Sequence, residues 1–323
     1  MKAAVMYPNA GLPQYTDVTE PVAQSDDEIL VTVKAAALKN LDRARASGSH
    51  YSSETPDENG RIIGGDGVCM LPTGQRVYGF GTTGMMAEKA LIEKSRIVPI
   101  PDGLDDATAA ALPNAVLGSA MGFKFKADIQ PGDVVFINGA TGVTGSVAIQ
   151  LAKHFGAAKI IASGRNKQAL EKLLLLGADA IIPITGDAGE FRSAFKAIHS
   201  ATPIDIVIDY IWGQTAEIIL SCLKGNGSFS NKIRYVSVGG MSGDSIQLSA
   251  QVLRSTNIQL TGSGLGAWTR DQVRQFFADI LPEAFDLAVK GELKIETQTV
   301  QLKDIASLWD MQLDSGKRLV IQL

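Results

Sequence analysis

Short apolar runs alternate with longer amphipathic segments along the second half of the chain. Each run is rich in Val and Ile and has the length of a buried strand, whereas the segments between them, such as 167–176 and 213–223, are typical of helices. Strands that alternate with helices predict a doubly wound parallel sheet, the Rossmann arrangement. The predicted strands are residues 134–138, 159–163, 180–184, 205–210, 233–238 and 257–261.

The first third of the chain has a different pattern. Residues 29–34 alternate apolar and polar positions, and glycines recur over 60–84 around short apolar pieces. Such alternation with closely spaced turns predicts a β-barrel-like domain. A short helix is predicted over 38–47, followed by a polar surface loop over 49–60.

The last segment resembles the first third rather than the middle. It predicts two strands, over 298–302 and 318–322, with a helix between them over 303–315. We expect this segment to return to the first domain. The predicted domains are therefore 1–115 with 262–323, and 116–261.

A glycine-rich turn separates the first two strands of the predicted parallel sheet. Residues 139–145 read Gly-Ala-Thr-Gly-Val-Thr-Gly and lead into an apolar helical segment. A helix N-terminus offers unpaired N–H groups and partial positive charge, and the backbone at Gly142 allows a phosphate to come close. We expect a dinucleotide diphosphate on the N–H groups of Val143 and Thr144, beside Thr141 and Gly142, with Gly145 packing the helix on the strand. The alternative is a turn whose glycines serve packing only.

The end of the second predicted strand indicates which nicotinamide dinucleotide binds. NAD-binding folds usually place Asp or Glu there, bonded to the ribose 2′-hydroxyl. Here the chain reads Ser163-Gly164-Arg165-Asn166-Lys167, with a hydroxyl, two cations and no carboxylate. Because guanidinium binds phosphate bidentately, this segment favours the 2′-phosphate of NADP(H). The alternative is that Arg165 and Lys167 only form a solvated helix start and that NAD(H) binds less selectively.

Composition and charge exclude several classes of protein. The 323 residues suggest about two domains, and 45% hydrophobic residues are enough for sizeable cores. A net charge of −4 argues against nucleic acid or an anionic membrane as partner. Cys69 and Cys222 form no CxxC pair, so a disulfide framework or a cysteine-built zinc site is not expected. With no signal-like N-terminus and no run of about 18 apolar residues, a cytoplasmic protein is expected.

Several short phrases stand in a fixed order along nearly the whole chain. They are Ala35-Ala36-Ala37-Leu38 with Asp42, Gly79-Phe80-Gly81, Ala110-Ala111-Leu112-Pro113, residues 139–145 with Gln150-Leu151-Ala152-Lys153, Leu176-Gly177-Ala178-Asp179, residues 205–209, Val236-Ser237-Val238-Gly239 and Ser315-Gly316-Lys317. In this combination the chain resembles the zinc-free medium-chain dehydrogenase/reductases of the quinone oxidoreductase-like branch. The resemblance implies a GroES-like β-barrel domain, a Rossmann domain and an active site between them, and it makes a homodimer an expectation.

The same resemblance bears on metal binding. Matched by phrase, the zinc-ligand positions of the family's alcohol dehydrogenases fall on Lys39, Gly65 and Asn114. A glycine has no side chain and a lysine is a cation, so no zinc is expected. A substrate carbonyl or quinone that accepts hydride must then have its oxyanion stabilised by hydrogen-bond donors.

Four residues are candidates for this catalytic role, namely Lys39, Asn40, Tyr51 and Asn114. Lys39 is equally consistent with a salt bridge to Asp42 or Asp66, and Tyr51 with a plain surface position. A second group, Val238, Gly239 and Gly240, is expected beside the nicotinamide ribose, with ordinary strand-to-helix turns as the alternative. Gly118 stands where relatives often carry a threonine, and Ser119 is a candidate substitute.

Two functions of different classes follow from these observations. The first is a zinc-independent NADPH-dependent oxidoreductase that reduces quinones or α,β-unsaturated carbonyls by hydride transfer. The second is an NADPH-binding sensor or scaffold with little turnover. A short-chain reductase is disfavoured, because no tyrosine is followed by a lysine four residues later.

Overall fold

The computed structural model describes residues 1–50, 53, 58–311 and 313–323. The chain divides into two compact units, residues 1–113 with 277–323, and residues 114–276. The domain limits expected at residues 115 and 261 stay predictions. By its contacts, the segment 262–276 belongs to the second unit.

Strands and helices are labelled in chain order. The strands are β1 (Lys2–Met6), β2 (Gln14–Asp17), β3 (Glu28–Leu38), β4 (Arg61–Ile62), β5 (Asp66–Met70), β6 (Arg76–Phe80), β7 (Lys89–Glu93), β8 (Val98–Pro99), β9 (Val134–Asn138), β10 (Lys159–Gly164), β11 (Ala180–Pro183), β12 (Ile206–Asp209), β13 (Ile233–Ser237), β14 (Ile258–Gly262), β15 (Glu296–Gln301) and β16 (Lys317–Gln322). The helices are α1 (Asn40–Ala46), α2 (Asp106–Met121), α3 (Val143–His154), α4 (Lys167–Leu175), α5 (Ala188–Ala201), α6 (Gly213–Cys222), α7 (Ala250–Ser255), α8 (Arg270–Gln275), α9 (Leu281–Val289) and α10 (Ile305–Leu308).

The first unit is built from mainly antiparallel strands. Within the described residues, β15-β16-β3-β5-β6-β8 form one sheet in that order, with β7 also paired to β3, and β2-β1-β4 form a second. The last strand, β16, pairs antiparallel with β3, which ties the C-terminal segment to this unit. Buried aliphatic side chains and Trp309 form its core. This is the separate antiparallel domain that the fold class predicted.

The second unit is a parallel sheet with helices on both faces. Its strand order is β11-β10-β9-β12-β13-β14 within the described residues, and every pairing in it is parallel. The chain runs outward from β9 to β11 and then returns to β12, so the strand order reverses between β9 and β12. Ligands of doubly wound sheets bind at the carboxyl ends of the strands beside such a reversal.

Alternation along β9 distributes its side chains between two cores. Val135 and Ile137 pack with residues of α3 and α4. Val134 and Phe136 pack on the other face with residues of α5 and α6. Because both faces are covered, the strand is apolar throughout, as parallel strands usually are. The predicted Rossmann sheet is confirmed, and its strand limits differ from the predicted ones by a residue or so.

One predicted helix is wrong. The segment 303–315 was expected to be helical, but its described residues form a 3₁₀ turn, Leu302–Asp304, followed by the single helical turn of α10 and no further helix. Ile305 and Trp309 are buried at helical spacing. Beyond them Asp314, Ser315 and Gly316 are turn formers, and Gly316 has φ +89°, which ends any helix there.

No helix in the described part of the chain is both long and apolar enough to cross a lipid bilayer.

The turn after α5 depends on a neutral histidine. The Ile204 N–H donates to Nδ1 of His199 over 3.1 Å, and the imidazole stacks on Phe195. Burial lowers the pKa of His199, and nearby Asp205 opposes this only in part. The neutral ring is therefore the form that the fold stabilises. Its contribution is present above the unfolded-state pKa of about 6.5 and is lost as pH falls below it.

We predict that His199→Phe keeps the stacking but removes the acceptor, which lowers the free energy of unfolding by about 1–3 kcal/mol at neutral pH because the Ile204 N–H stays unpaired. Chemical denaturation between pH 7 and pH 5 measures the effect. The wild type should lose more stability over this range than the variant. His154→Gln, on the exposed end of α3, is the control. Parallel pH profiles for the wild type and His199→Phe would contradict the role of the neutral ring.

Candidate functional site

The glycine-rich turn lies at the carboxyl end of β9 and is fastened to the end of β10. The Ala140 N–H donates to the Ser163 carbonyl over 2.7 Å, and the Gly139 N–H lies 3.4 Å from the Ser163 hydroxyl oxygen. Gly139 has φ +83°, a conformation that disfavours any side chain. These bonds hold the turn against the sheet at the strand ends.

Two glycines of the turn differ in what surrounds them. A Cβ at Gly145 would lie 2.5 Å from Ala140 Cα, far inside the usual carbon contact of about 3.5 Å, so the packing of α3 requires a glycine there. A Cβ at Gly142 would meet only the Gly139 carbonyl oxygen, 4.0 Å away. Gly142 is exposed, with φ −77°, so neither protein packing nor backbone conformation requires its lack of a side chain. The outer side of the turn is open.

Helix α3 begins at this open side. Gly142 is its N-cap and supplies no capping side chain. The first N–H groups of a helix have no intrahelical acceptor and carry partial positive charge, which suits an anion. Val143 and Thr144, the first helical residues, are half-buried. The turn therefore fits a dinucleotide diphosphate, which accepts hydrogen bonds from such groups.

Two cations follow the end of β10. Arg165 and Lys167 are exposed, and within the described residues neither side chain forms a hydrogen bond or ion pair with another group. Asn166, between them, caps α4 by accepting from the Ala169 N–H over 3.0 Å. The segment supplies positive charge and no carboxylate.

The Ser163 hydroxyl does not join these cations. Ser163 is fully buried, and its hydroxyl donates to Asn138 Oδ1 over 2.8 Å. Asn138 in turn donates from Nδ2 to Asp209 and Thr215 over 2.8 and 3.0 Å. The hydroxyl is thus directed into the sheet rather than toward Arg165.

Asp209 is the centre of this buried network, which the sequence analysis missed. Its carboxylate accepts from Asn138, from the Tyr235 hydroxyl over 2.6 Å, and from the Ile211 and Trp212 N–H groups. The available signal was a polar residue that closes an otherwise apolar strand, Asn138 on β9 and Asp209 on β12. Buried polar groups of this kind must be hydrogen-bonded, so partners at neighbouring strand ends were to be expected.

Packing within the protein also explains the two glycines after β13. A Cβ at Gly239 would lie 2.6 Å from the Tyr210 carbonyl oxygen, and one at Gly240 would lie 3.0 Å from the Gly243 carbonyl oxygen. The Val238 N–H donates to the Asp209 carbonyl over 2.8 Å. This turn is therefore fastened to the end of β12, beside the reversal of strand order.

Neighbouring protein groups explain the small residue at Gly118 and the position of the Ser119 hydroxyl. A Cβ at Gly118 would lie 3.0 Å from Thr144 Cγ2, so a threonine there would crowd the start of α3. Ser119 is fully buried, and its hydroxyl oxygen lies 2.8 Å from the Ala115 carbonyl and 3.0 Å from the Tyr210 hydroxyl. Ser119 is thus occupied by protein partners.

Lys39 in the first unit forms a buried ion cluster. Its side chain is 2% exposed, and its amine hydrogen-bonds Asp66 and lies 3.3 Å from an Asp42 carboxylate oxygen. Burial alone would lower the pKa of Lys39, but Asp42 and Asp66 together raise it above the usual value. The Tyr78 hydroxyl donates to Asp66 over 2.6 Å, and burial with this carboxylate raises the pKa of Tyr78. The salt bridge that the sequence left open is present.

The other catalytic candidates are divided between the units. Asn40 begins α1 and is exposed in the first unit. Asn114 lies in α2, is half-buried and has an interaction partner, and it is the first residue of the second unit. Tyr51 lies outside the described residues. Among the described residues, no three His, Cys, Asp or Glu side chains are grouped as metal ligands.

Several known proteins that are similar to this chain are named as quinone oxidoreductases, quinone oxidoreductase-like proteins or quinone reductases. The family described as zinc-binding dehydrogenase matches residues 143–281, a range that contains none of Lys39, Gly65 and Asn114. A quinone oxidoreductase-like protein 2 homolog of Nematostella vectensis is 26% identical over 275 residues, 83% of this chain and 73% of that protein. A probable NADPH-dependent quinone reductase, tdiC, of Emericella nidulans is 24% identical and aligns over 96% of both chains. These similarities support a medium-chain dehydrogenase/reductase of the quinone oxidoreductase branch.

The fold of this family is found in solved structures too. The quinone oxidoreductase of Thermus thermophilus, whose structure is also known in complex with NADPH, superimposes with a TM-score of 0.78 at 24% identity, with 100% of both chains covered. This likeness shows the fold, a Rossmann domain and a separate GroES-like antiparallel domain. The curated relatives, rather than the structure, are what supports an oxidoreductase.

We predict that Lys39→Met lowers the free energy of unfolding by about 3–5 kcal/mol, because it removes the cation that bonds the buried Asp66 carboxylate. The double variant Lys39→Met/Asp66→Asn should lose less than Lys39→Met alone. Lys2→Met, which breaks an exposed pair with Asp17, is the matched control and should change stability little. Denaturant titration measures all three. A Lys39→Met protein as stable as the wild type would contradict the buried pair.

Proposed function

We propose that this protein is an NADPH-dependent reductase that transfers hydride to quinones or α,β-unsaturated carbonyls. The observation that carries the proposal is the open side of the glycine-rich turn at the start of α3, with two exposed cations and no carboxylate at the neighbouring strand end. The names of relatives support it, since one is called a probable NADPH-dependent quinone reductase and another structure was solved with NADPH.

In this proposal the second unit binds the cofactor. The N–H groups of Val143 and Thr144 hold the diphosphate over Gly142. Arg165 binds the 2′-phosphate bidentately and Lys167 adds a second positive charge. Three further groups complete the proposed set of contacts, namely Thr141, the backbone of Ser163 and Gly164, and the turn Val238, Gly239 and Gly240.

The chemistry requires a donor for the reduced substrate. Bound NADPH supplies the hydride, and a quinone or enone that accepts it becomes an oxyanion, which preorganised donors stabilise. We propose the amides of Asn40 and Asn114 for this role, with Tyr51 as a further candidate. The Lys39 amine is engaged by two carboxylates, so we assign it to the structure of the first unit.

Binding and turnover test the proposal separately. NADPH and NADH are titrated into the protein, and quinones and enones are then screened for oxidation of the cofactor that binds more tightly. We expect NADPH to bind more tightly and to be consumed. Tighter binding of NADH would contradict the role of Arg165. Tight NADPH binding without consumption of any acceptor would favour the sensor or scaffold function instead.

Removing the guanidinium should affect one cofactor only. We predict that Arg165→Ala weakens NADPH binding by about 10- to 100-fold, the value of a charge-assisted hydrogen-bond pair, and leaves the NADH dissociation constant nearly unchanged. Calorimetric titration measures both constants. Lys172→Ala, in α4 but more than one turn beyond the start of that helix, is the control and should retain the affinity for NADPH. Equal weakening of both cofactors would contradict a contact with the 2′-phosphate.

Removing an oxyanion donor should lower turnover without weakening the cofactor. We predict that Asn40→Ala or Asn114→Ala, whichever residue donates, lowers kcat by about 100-fold while the NADPH dissociation constant stays within about twofold, because the contact forms mainly in the transition state. Steady-state kinetics with the best acceptor, together with thermal unfolding as a check on folding, measures the effect. Unchanged kcat in both variants would exclude these amides.

A further inference from the structure

The strand end at Gly164 is filled from outside by the side chain of Thr141. A Cβ at Gly164 would lie 2.4 Å from Thr141 Cγ2, 2.9 Å from Oγ1 and 3.2 Å from Cβ. Carbon atoms in contact lie about 3.5–4.0 Å apart, so Thr141 takes the position that any side chain at residue 164 would need. Rotation of Thr141 about χ1 moves the first two atoms but not its Cβ.

The turn has little freedom to withdraw from the strand end. The Ala140 N–H bond to the Ser163 carbonyl holds the residue before Thr141 against β10. On the other side, a Cβ at Gly145 would lie 2.5 Å from Ala140 Cα, so the start of α3 leaves no space for a side chain against the Ala140 backbone. Gly164 is fixed as well, since its carbonyl accepts from the Ile184 N–H over 2.8 Å and it pairs with Pro183 of β11. A side chain at residue 164 must therefore displace Thr141 or break these contacts.

We infer that Thr141 is a specificity-determining residue, which keeps the end of β10 free of a side chain and so excludes the carboxylate that selects NAD(H). This inference rests on the proposed function, because it concerns the choice between the two nicotinamide cofactors. In dinucleotide-binding folds the acidic residue that bonds the ribose 2′-hydroxyl stands at the end of the second strand, which is Gly164 here. Arg165 supplies the attraction for a 2′-phosphate, and Thr141 prevents the competing carboxylate.

The inference predicts that substitutions at residues 141 and 164 are coupled. Gly164→Asp alone should lower the midpoint of thermal unfolding and weaken both cofactors, because the turn is displaced. Thr141→Gly/Gly164→Asp should regain a higher midpoint than Gly164→Asp and bind NADH about tenfold more tightly than Gly164→Asp does, since the carboxylate then reaches the 2′-hydroxyl. NADPH should bind the double variant at least about tenfold more weakly than the wild type, because the carboxylate repels the 2′-phosphate.

Two controls separate size from charge and from hydrogen bonding. Thr141→Val/Gly164→Asp keeps the branched shape of residue 141, so it should show the same lowered unfolding midpoint and weakened cofactor binding as Gly164→Asp. Gly164→Ala, measured in the wild-type and Thr141→Ala backgrounds, tests the steric part without charge and without adding a glycine to the turn. Its effect on the unfolding midpoint should be smaller when Thr141 is trimmed.

The outcomes distinguish this inference from the proposed function. The inference would be overturned if Gly164→Ala and Gly164→Asp changed the unfolding midpoint equally whether or not Thr141 was trimmed. Rescue of Gly164→Asp by Thr141→Val would overturn it too. In either case the proposed function would stand if the wild type still preferred NADPH. A wild type that binds NADH more tightly than NADPH would overturn the cofactor of the proposed function and, with it, the role in selectivity, even where the unfolding midpoints show the coupling. Coupled midpoints together with the switch toward NADH support both.

Discussion

The structure of the nucleotide-binding half depends on how the turn after β9 is fastened between β10 and α3. On its inner side, there is no space for a side chain at Gly145 against the Ala140 backbone, and the Ala140 N–H bonds the Ser163 carbonyl, so the turn is held close to both elements. On its outer side, a Cβ at Gly142 would meet only the Gly139 carbonyl oxygen, 4.0 Å away. A rigid inner side with an open outer side presents the first N–H groups of α3 in a fixed arrangement, which is what recognition of a diphosphate requires.

The buried polar side chains discussed above form hydrogen bonds within the protein, whereas the exposed Arg165 side chain forms none within the described part of the chain. Asn138, Ser163 and Asp209 are buried at the strand ends and bond one another or adjacent groups, and Lys39 bonds Asp66 in the first unit. Such groups are costly to leave unpaired, so their partners fix their positions. Arg165, by contrast, is exposed and has no such partner within the described residues. The Arg165 guanidinium is therefore available to bind a ligand.

Much of the parallel sheet could be predicted from the sequence because both faces of each strand are covered, which makes the strands continuous apolar runs. The helix expected over 303–315 was wrong because Ile305 and Trp309 supply only one turn of burial before the turn formers near Gly316. The direction of the Ser163 hydroxyl could not be predicted, since it depends on the register that places Asn138 on the neighbouring strand. The sequence left the partner of Lys39 open between Asp42 and Asp66. Asp66 lies on β5, so its distance from Lys39 depends on the pairing of β3 with β5.

We propose above all that a nucleotide diphosphate rests on the first N–H groups of α3. The most direct measurement is the change in the backbone amide NMR signals of the nitrogen-15-labelled protein on titration with NADPH. We expect the amides of Val143 and Thr144 to be among those that shift most, together with residues that follow β10. Saturable NADPH binding that leaves the amides of residues 142–145 unshifted would contradict it.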